Sequence, residues 1–421
     1  QHLTVIDFIG NYSNNYLVQI ALYGNKSFNK DDMRKLHVGK SVYLPGACTI
    51  DFDEISEQQI FKAISSANLG KLNDLRSDYQ TVERMLGRPP LMMDFVKHGQ
   101  RDPYYFVEHS TSLYHFRKNQ VEKTNSKLHL NDNADSLLGH FAKLINDGKV
   151  PLDSLLLQLA IERGTFSVRT LQEEFANQFQ IETTLRDIAL ALKRCNFEFD
   201  IEKVQKKYQP ISKRYGFSML EWVDDRIQVS SFFAPFLLDP VFKEYLLDSC
   251  HYSVHTFKVR KNTTVYRDGF LLYEKYSRRD ALRILGWPLR QIEQNLGGYR
   301  LSPDGTNCPI WVTYHKSEEV EDSINYQDRF KSSNQFYWMS RSKRKMTSNE
   351  LQPIIHSQRL GLRIPFFVKK DDNEGIDFYY LGDVTTLPSA AEPQKMNNKS
   401  GKELDVVQFL MDFTDPVPED L

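Results

Sequence analysis

The distribution of hydrophobic and polar positions separates a strand-like beginning, a long helical part and a β-rich end. Residues 3–10, "LTVIDFIG", form a dense β-branched and apolar run closed by glycine, which predicts a buried strand of a parallel sheet. Farther on, apolar residues recur at helical spacing, as at Ile60, Ile64 and Leu69, and predict helices that continue until a pair of prolines. The polar residues 119–136 then predict a linker.

The middle of the chain combines helices with a short hairpin. Amphipathic patterns predict helices over residues 137–146 and 152–163, and Ser167 is expected to cap the start of a third. A further helix is expected over Thr183–Arg194, followed by a two-stranded segment in residues 215–230. Three helices followed by a hairpin are typical of a winged helix, a common DNA-binding module.

The winged-helix interpretation gives one of these helices a function. The helix Thr183–Arg194 would lie in a DNA groove, where basic side chains contact the nucleic acid. The candidates on it are Arg186, Lys193 and Arg194. The alternative is a helical spacer whose charged face is only solvated, and the sequence leaves both interpretations open.

The last third of the chain has the pattern of a β-rich domain. The pair Asp304-Gly305 favours a hairpin turn. Apolar runs in residues 362–370 and 378–384 predict two paired strands joined by a polar turn, and residues 402–413 predict a final strand. The whole pattern therefore predicts a mixed α+β chain of several domains.

Composition excludes several classes of protein. The 421 residues carry a formal net charge of −1, so contact with nucleic acid requires a local basic surface. The four cysteines are far apart and form no C-x-x-C pair, which fits reduced thiols in the cytoplasm. No apolar run reaches the roughly 18 residues of a membrane span. The chain begins at Gln1, and we expect it to be a fragment of a longer protein.

Several ordered motifs near the end resemble one known family. They are "YSRRDALRILGW", "NLGGYRL", "CPIWVTYHK", "FYWMSRSKRKM", "GLRIPFFVKKDDNEGIDFYYLGDV" and "PVPEDL". Together they resemble the C-terminal domain of unknown function that ends many bacterial superfamily 2 DEAD/DEAH-type helicases, from about Phe236 to Leu421. The stretch "LTVIDFIGNYSNNYLVQIAL" is similar to the last strand and helix of the second RecA-like domain in the same helicases.

The resemblance implies four regions. Residues 1–50 would be the tail of the second RecA-like domain, 51–133 a helical connector, 134–234 the winged-helix-like module, and 235–421 the β-rich helicase-associated domain. It also implies an ATP-dependent DNA helicase or translocase, and a role in restriction or phage defence is an expectation from the same resemblance. ATP and Mg²⁺ would then bind in a motor that precedes Gln1 in the same protein.

One short motif could be mistaken for an ATP site in this chain. Gly39-Lys40-Ser41 matches the end of a phosphate-binding loop. That loop also needs a glycine five positions before Gly39, and Arg34 stands there. Because the loop needs backbone conformations that glycine adopts readily, the match is interpreted as chance. We expect no ATP-site residue, and no cofactor, in the fragment itself.

The strongest local candidate is residues 329–346, "RFKSSNQFYWMSRSKRKM", which contain six basic residues and no acid. Lys and Arg neutralise phosphates, and aromatic rings stack on unpaired bases. The predicted contacts are Arg329, Lys331, Tyr337, Trp338, Arg341, Lys343, Arg344 and Lys345. In the alternative interpretation the aromatic residues lie in a strand of the core and the basic run is a solvated loop.

Other candidate sites have weaker patterns. His251 and His255 beside Cys250 could share a helical face, but no further metal ligand is near in sequence. The acids Asp371, Asp372 and Glu374 lie in one turn-like loop, which favours a solvated hairpin tip over a nuclease site. We therefore predict no catalytic residue and no metal site. The alternatives to DNA binding are a Mg²⁺-dependent nuclease in the β-rich region and a protein-docking module.

Overall fold

The computed structural model describes residues 30, 33, 60, 63, 64, 67–287, 296–315, 328–371, 375–397 and 402–418. The predicted strand at residues 3–10, the Gly39-Lys40-Ser41 motif, and Asp372 and Glu374 of the acidic loop lie outside these residues. The chain divides into two compact units. The first unit has residues 1–175 and 218–256, and the second has residues 176–217 and 257–421.

The described elements are mixed in type. The α-helices are α1 Leu72–Leu86, α2 Met92–Lys97, α3 Tyr104–Ser110, α4 Leu113–Phe116, α5 Asp132–His140, α6 Pro151–Arg163, α7 Val168–Phe179, α8 Leu185–Cys195, α9 Ile211–Tyr215, α10 Pro240–Lys261, α11 Arg278–Ile284, α12 Gln352–Ile355 and α13 Ser357–Leu360. The strands are β1 Thr165–Ser167, β2 Ile201–Val204, β3 Lys207–Pro210, β4 Leu220–Val223, β5 Arg226–Val229, β6 Tyr266–Arg267, β7 Phe270–Leu271, β8 Lys275–Tyr276, β9 Ile310–His315, β10 Arg329–Ser332, β11 Gln335–Met339, β12 Pro365–Asp371, β13 Phe378–Thr385, β14 Ala391–Asn397 and β15 Glu403–Phe413. Short π-helical turns at Arg117–Glu122 and Phe141–Ile145 extend α4 and α5, and 3₁₀ turns lie at Lys123–Asn125, Ala234–Leu238 and Pro388–Ala390.

The first unit is largely helical and has an aromatic core. Phe106 packs against Phe95 and Phe116, with ring centroids 4.9 and 4.7 Å apart, and Tyr79 adjoins all three. Helix α1 ends at Leu86 because Gly87 takes a left-handed conformation (φ 66°) that closes the last turn, so it stops before the two prolines. Buried aromatic rings of this size contribute strongly to the stability of the unit.

A small sheet in the same unit agrees with the sequence pattern. Strands β4 and β5 pair antiparallel, as predicted for residues 215–230, and β1 pairs with β5, which gives the order β1-β5-β4. The predicted N-cap is also confirmed, because the Ser167 hydroxyl accepts a hydrogen bond from the Thr170 amide at 3.0 Å.

The second unit is built on an eight-stranded sheet. Its order is β10-β11-β15-β13-β12-β9, with β14 paired to β15 and β8 to β13. The predicted pair of strands is confirmed as β12 and β13, and the predicted final strand as β15. Residues alternate between two cores: Phe366 and Leu381 belong to one, and Phe367 and Tyr380 to the other. Because both faces of β12 and β13 are buried, these strands have nearly continuous apolar sequences.

The predicted hairpin around Asp304-Gly305 is present only as a loop. Gly305 takes a positive φ of 71° and the Asp304 carboxylate accepts hydrogen bonds from Ser302 and Thr306. The loop is closed by a single antiparallel bridge between Tyr299 and Ile310. Strand β9 then pairs parallel with β12 rather than forming a long hairpin.

Candidate nucleic-acid interface

The predicted basic segment begins on strands β10 and β11, which come first in the strand order of the eight-stranded sheet. They pair antiparallel, with Arg329 opposite Tyr337 and Phe330 opposite Phe336. Strand β11 also pairs with β15, which places Trp338 opposite Phe409. Because side chains alternate across a strand, Phe336 and Trp338 share one face of β11 and Tyr337 lies on the other.

The face that bears Tyr337 is solvent-accessible and basic. Arg329 and Lys331 are exposed, and the ring of Tyr337 is half-buried. The guanidinium carbon of Arg329 lies 5.5 Å from the centre of that ring, and the ammonium nitrogen of Lys331 lies 5.7 Å from it. We call the group of Arg329, Lys331 and Tyr337 the β10–β11 basic face. Both cations are held near one aromatic ring by cation–π attraction.

The other face of β11 belongs to the core, and this corrects one predicted contact. Only 3% of Trp338 is exposed, and its ring packs edge-on against Tyr299, 4.9 Å between centroids, and tilted against Phe409 at 5.2 Å. Phe336 is fully buried. Trp338 has no free face on which a base could stack. Trp338 therefore lies in a strand of the core, as in the alternative interpretation of the sequence.

Two of the predicted phosphate ligands have internal partners. Arg341 donates from Nη2 to the carbonyl oxygens of Leu296 and Tyr299. Arg344 forms an ion pair with Glu350, which also accepts a hydrogen bond from the Tyr299 hydroxyl. Although burial opposes the shift, the hydrogen bonds from Arg344 and Tyr299 hold the pKa of Glu350 below its usual value. The basic segment is thus less positive in three dimensions than in sequence.

The last lysines of the segment remain exposed. Lys343 follows β11 with a positive φ of 62° and an exposed side chain. Lys345 is 72% exposed, and its ammonium lies 3.5 Å from Asp405 on β15. Lys395 on β14 bonds the other oxygen of Asp405 at 2.6 Å, and this hydrogen bond lowers the pKa of the carboxyl group. A surface ion pair of this kind contributes little to stability.

An open groove lies beside these lysines. It has a volume of about 580 Å³ and is lined by Arg344, Lys345, Met346, Thr347, Pro393, Gln394, Lys395, Asp405 and Val406. Its basic side chains come from the loop after β11 and from β14. Lys395 was missed in the sequence because its place beside Lys345 follows only from the register in which Lys395 pairs with Asp405.

The helix predicted as a recognition helix is present as α8, with one correction. Thr184 caps its start by accepting from the Asp187 amide at 3.2 Å. Arg186 and Lys193 are exposed. Arg194 is only 4% exposed, and its Nη1 donates to the carbonyl oxygen of Arg283 at 3.4 Å. Its guanidinium therefore lies inside the second unit and is not available to DNA.

The described residues contain no cluster of three or more His, Cys, Asp or Glu side chains that could hold a metal. The thiol of Cys250 is fully buried and accepts a hydrogen bond from Asn146, while His251 lies 3.5 Å from Glu162. Within the same part of the chain, no helix is both long and apolar enough to cross a membrane.

A second basic element was not recognised from the sequence. Strands β2 and β3 form a two-stranded hairpin that carries Lys203, Lys206, Lys207 and Tyr208. The available signal was "KVQKKY", in which three lysines lie in and around a possible two-residue turn and an aromatic residue follows.

Two families of unknown function match separate parts of the chain. Residues 75–261 match the model of the domain of unknown function DUF8090. Residues 270–421 match the model of the domain of unknown function DUF3427. No curated protein matches the chain. The second match covers most of the region whose motifs resemble the end of DEAD/DEAH-type helicases.

Two solved structures are similar at low identity. One is titled "Sulfur binding domain and SRA domain of ScoMcrA complexed with phosphorothioated DNA"; the match has 11% identity and a TM-score of 0.25, and it covers 65% of this chain and 85% of that one. The other is the type IV phosphorothioation-dependent restriction endonuclease ScoMcrA, with 10% identity, a TM-score of 0.24, and coverage of 64% and 60%. Values this low establish neither a common fold nor a common function.

Proposed function

We propose that this chain is a DNA-binding region and that the β10–β11 basic face contacts the DNA. The observation that carries the proposal is the placement of two exposed cations, Arg329 and Lys331, around the half-buried ring of Tyr337. Lys and Arg that neutralise phosphates release counterions, and this release drives association with nucleic acid. An aromatic face beside them can stack on an unpaired base.

The arrangement allows the two kinds of contact together. Both cations have exposed side chains, so they can turn from the ring towards phosphates and leave the face of Tyr337 open to a base. Lys343 extends the positive charge along the chain after β11, whereas Lys345 is paired with Asp405. Trp338 has a different function, because it fixes β11 in the core and so positions Tyr337 on the opposite face.

The resemblance to helicases extends this proposal to the longer protein. There the chain would hold DNA for an ATP-driven motor in the same polypeptide, in a helicase or translocase of a restriction or phage-defence system. ATP and Mg²⁺ belong to that motor, with residues 1–50 as its RecA-like tail. The chain alone should then turn over no ATP. Turnover that Lys40→Ala abolishes would contradict this part of the proposal.

The winged-helix-like module is the finer part of the proposal. In chain order, the helices and strand α6, β1, α7 and α8 come first, and the β4–β5 hairpin follows after the intervening β2, β3 and α9. The pairing order β1-β5-β4 is compatible with that module. Arg186 and Lys193 of α8 are the exposed side chains that would contact a duplex, and the helical-spacer alternative predicts that neither affects affinity.

The test measures binding of the full chain to labelled duplex and single-stranded DNA by fluorescence anisotropy over a range of salt concentrations. Replacing Arg329 and Lys331 together by Ala should reduce the slope of log affinity against log salt by about 1.8 on duplex DNA, at about 0.9 for each phosphate contact. Tyr337→Ala should cost roughly 1–3 kcal/mol of binding to a single strand and leave the slope unchanged.

The matched control is the double variant Lys71→Ala and Lys97→Ala, which removes two exposed lysines from the first unit. It should bind as the parent does. Parent-like affinity and salt dependence in the Arg329 and Lys331 double variant would reject this face as the site. DNA cleavage that EDTA abolishes would favour the nuclease alternative, and a parent that binds no DNA would favour the protein-docking alternative.

A further inference from the structure

The hairpin of β2 and β3 is a basic element that the proposed function does not use. The strands pair antiparallel from Ile201 opposite Pro210 to Val204 opposite Lys207. Every side chain from residue 203 to residue 208 is exposed, including 53% of Tyr208. The outer half of the hairpin is therefore solvated on both faces.

The exposed charge on this hairpin is positive. Lys203, Lys206 and Lys207 have no ion pair with any residue that the structure describes. Lys203 lies opposite Tyr208, with its ammonium 5.9 Å from the centre of the ring. The nearby carboxylate of Glu202 forms an ion pair with Arg214, whose Nη1 donates a hydrogen bond to it at 2.9 Å. The three lysines thus present unopposed positive charge at the hairpin tip.

The turn of the hairpin has a conformation that its residues do not favour. Gln205 and Lys206 have φ values of 47° and 67°. These are the left-handed values of a type I′ turn, for which Asn-Gly is the preferred pair. A non-glycine residue is disfavoured in this region, and such exceptions are concentrated at functional sites. Glycine at the second position would relax the turn but would remove the charge at its tip.

We propose that this lysine hairpin, residues 201–210, inserts into the major groove of duplex DNA. The two strands lie about 4.8 Å apart. The major groove of B-DNA is about 12 Å wide and admits a two-stranded ribbon with its side chains. Lys203, Lys206 and Lys207 contact phosphates on the groove walls, and Tyr208 contacts base edges. Duplex RNA is excluded because its major groove is deep and narrow. The proposal shares DNA as a ligand with the proposed function but depends on different residues.

The experiment compares the full-length parent with the triple variant Lys203→Ala, Lys206→Ala, Lys207→Ala on duplex DNA. The magnitude of the salt slope should fall by about 2.7, which is about 0.9 for each lost phosphate contact. Tyr208→Ala should lower the affinity without changing the slope. The control is the triple variant Lys71→Ala, Lys97→Ala, Lys243→Ala, which removes the same charge from exposed positions of the first unit and should bind as the parent does.

The outcomes separate the two proposals. A hairpin triple variant that keeps the parent's melting temperature and the parent's salt slope overturns the hairpin proposal. If the Arg329 and Lys331 double variant loses binding in the same experiment, the β10–β11 basic face is still supported as a DNA contact. The reverse pattern supports the hairpin alone. Equal binding of parent to duplex RNA of the same sequence, or to poly-glutamate, with the same dependence on the three lysines, overturns groove insertion. A parent that binds no DNA overturns both proposals.

Discussion

The guanidinium of Arg341 lies 4.4 Å from the centre of the Tyr299 ring and donates to the carbonyl oxygen of the same residue. It also donates to the carbonyl oxygen of Leu296 at 2.8 Å. Gly297, between these two carbonyls, has a φ of 65°, and a Cβ there would lie 2.9 Å from Nη2 of Arg341. The charge that the sequence offers to DNA is therefore used to hold residues 296–299 in place.

Arg341→Ala should reduce stability rather than DNA affinity. Loss of hydrogen bonds from a charged group and of one cation–π contact should cost about 1.5–3 kcal/mol in the free energy of unfolding. The measurement is denaturant unfolding of the variant beside salt-dependent DNA binding. Lys343→Ala removes an exposed charge from the same loop and is the control, with little expected change in stability. An Arg341→Ala protein that keeps its stability but loses about one unit of salt slope would contradict this assignment.

Neighbouring residues on β11 should respond differently to truncation. Trp338→Ala removes a buried ring and leaves a cavity, so it should cost about 3–5 kcal/mol of stability. Tyr337→Ala, on the solvent-accessible face, should cost much less stability and mainly weaken binding to single-stranded DNA. Thermal melting and anisotropy of the two variants test this difference. Equal stability of the two variants would contradict the assignment of Trp338 to the core and of Tyr337 to the solvent-accessible face of β11.

The strands of the second unit could be predicted because their cause is local. Residues 364–368 and 378–381 are continuously apolar, since both faces of β12 and β13 are buried. The loop with Asp304-Gly305 was predicted for its turn residues, but the partner of β9 was not. Strand β9 pairs with β12, which is far along the chain, and nothing in the local pattern gives that partner.

The candidate site could be predicted only in part, because the partners of its charges are distant or misleading in sequence. "FYWM" is apolar or aromatic at every position, so the sequence does not reveal which of Tyr337 and Trp338 faces the core. Glu350 lies just outside the basic segment and Asp405 much farther along, yet they neutralise Arg344 and Lys345. A charge run in sequence is an upper limit on the charge at a surface.

Substitution of two basic residues on α8, Arg194 and Arg186, should have different effects on stability and on DNA binding. Arg194→Glu would place an acid beside the carbonyl oxygen of Arg283 in a buried position, so it should destabilise the protein by several kcal/mol and reduce its melting temperature. Arg186→Glu is exposed and should leave the fold intact while weakening duplex binding if α8 contacts DNA. Circular dichroism melting and anisotropy of both variants decide the matter. A folded, parent-like Arg194→Glu protein would contradict the buried position of this guanidinium.

Asp248 should make the stability of the protein depend on pH near neutrality. Only 6% of it is exposed, and its carboxylate accepts hydrogen bonds from the amides of Met92 and Met93 at 2.6 and 3.2 Å. Burial raises the pKa of its carboxyl group from 3.8 to about 7, and the charges of Asp94 and Glu244 act in the same direction, while the two amide hydrogen bonds oppose it. Between these two pH values the folded protein retains a proton that the unfolded chain releases. Stability is therefore highest below pH 4 as far as this group is concerned, and falls as the pH rises to about 7.

Asp248→Asn tests this dependence because its amide keeps an acceptor for the α2 amides but does not ionise. The parent should lose a few kcal/mol between about pH 4 and 7, at about 1.4 kcal/mol per pKa unit, and the variant should lose less over the same range. The control is Asp74→Asn, which neutralises an exposed acid of α1 and should follow the parent's profile. Unfolding free energies measured in denaturant at several pH values provide the comparison. If the unfolding free energies of the parent and Asp248→Asn change with pH in the same way, Asp248 ionises at its ordinary pKa. A raised pKa requires that the folded protein lose stability when the buried carboxyl group ionises near neutral pH.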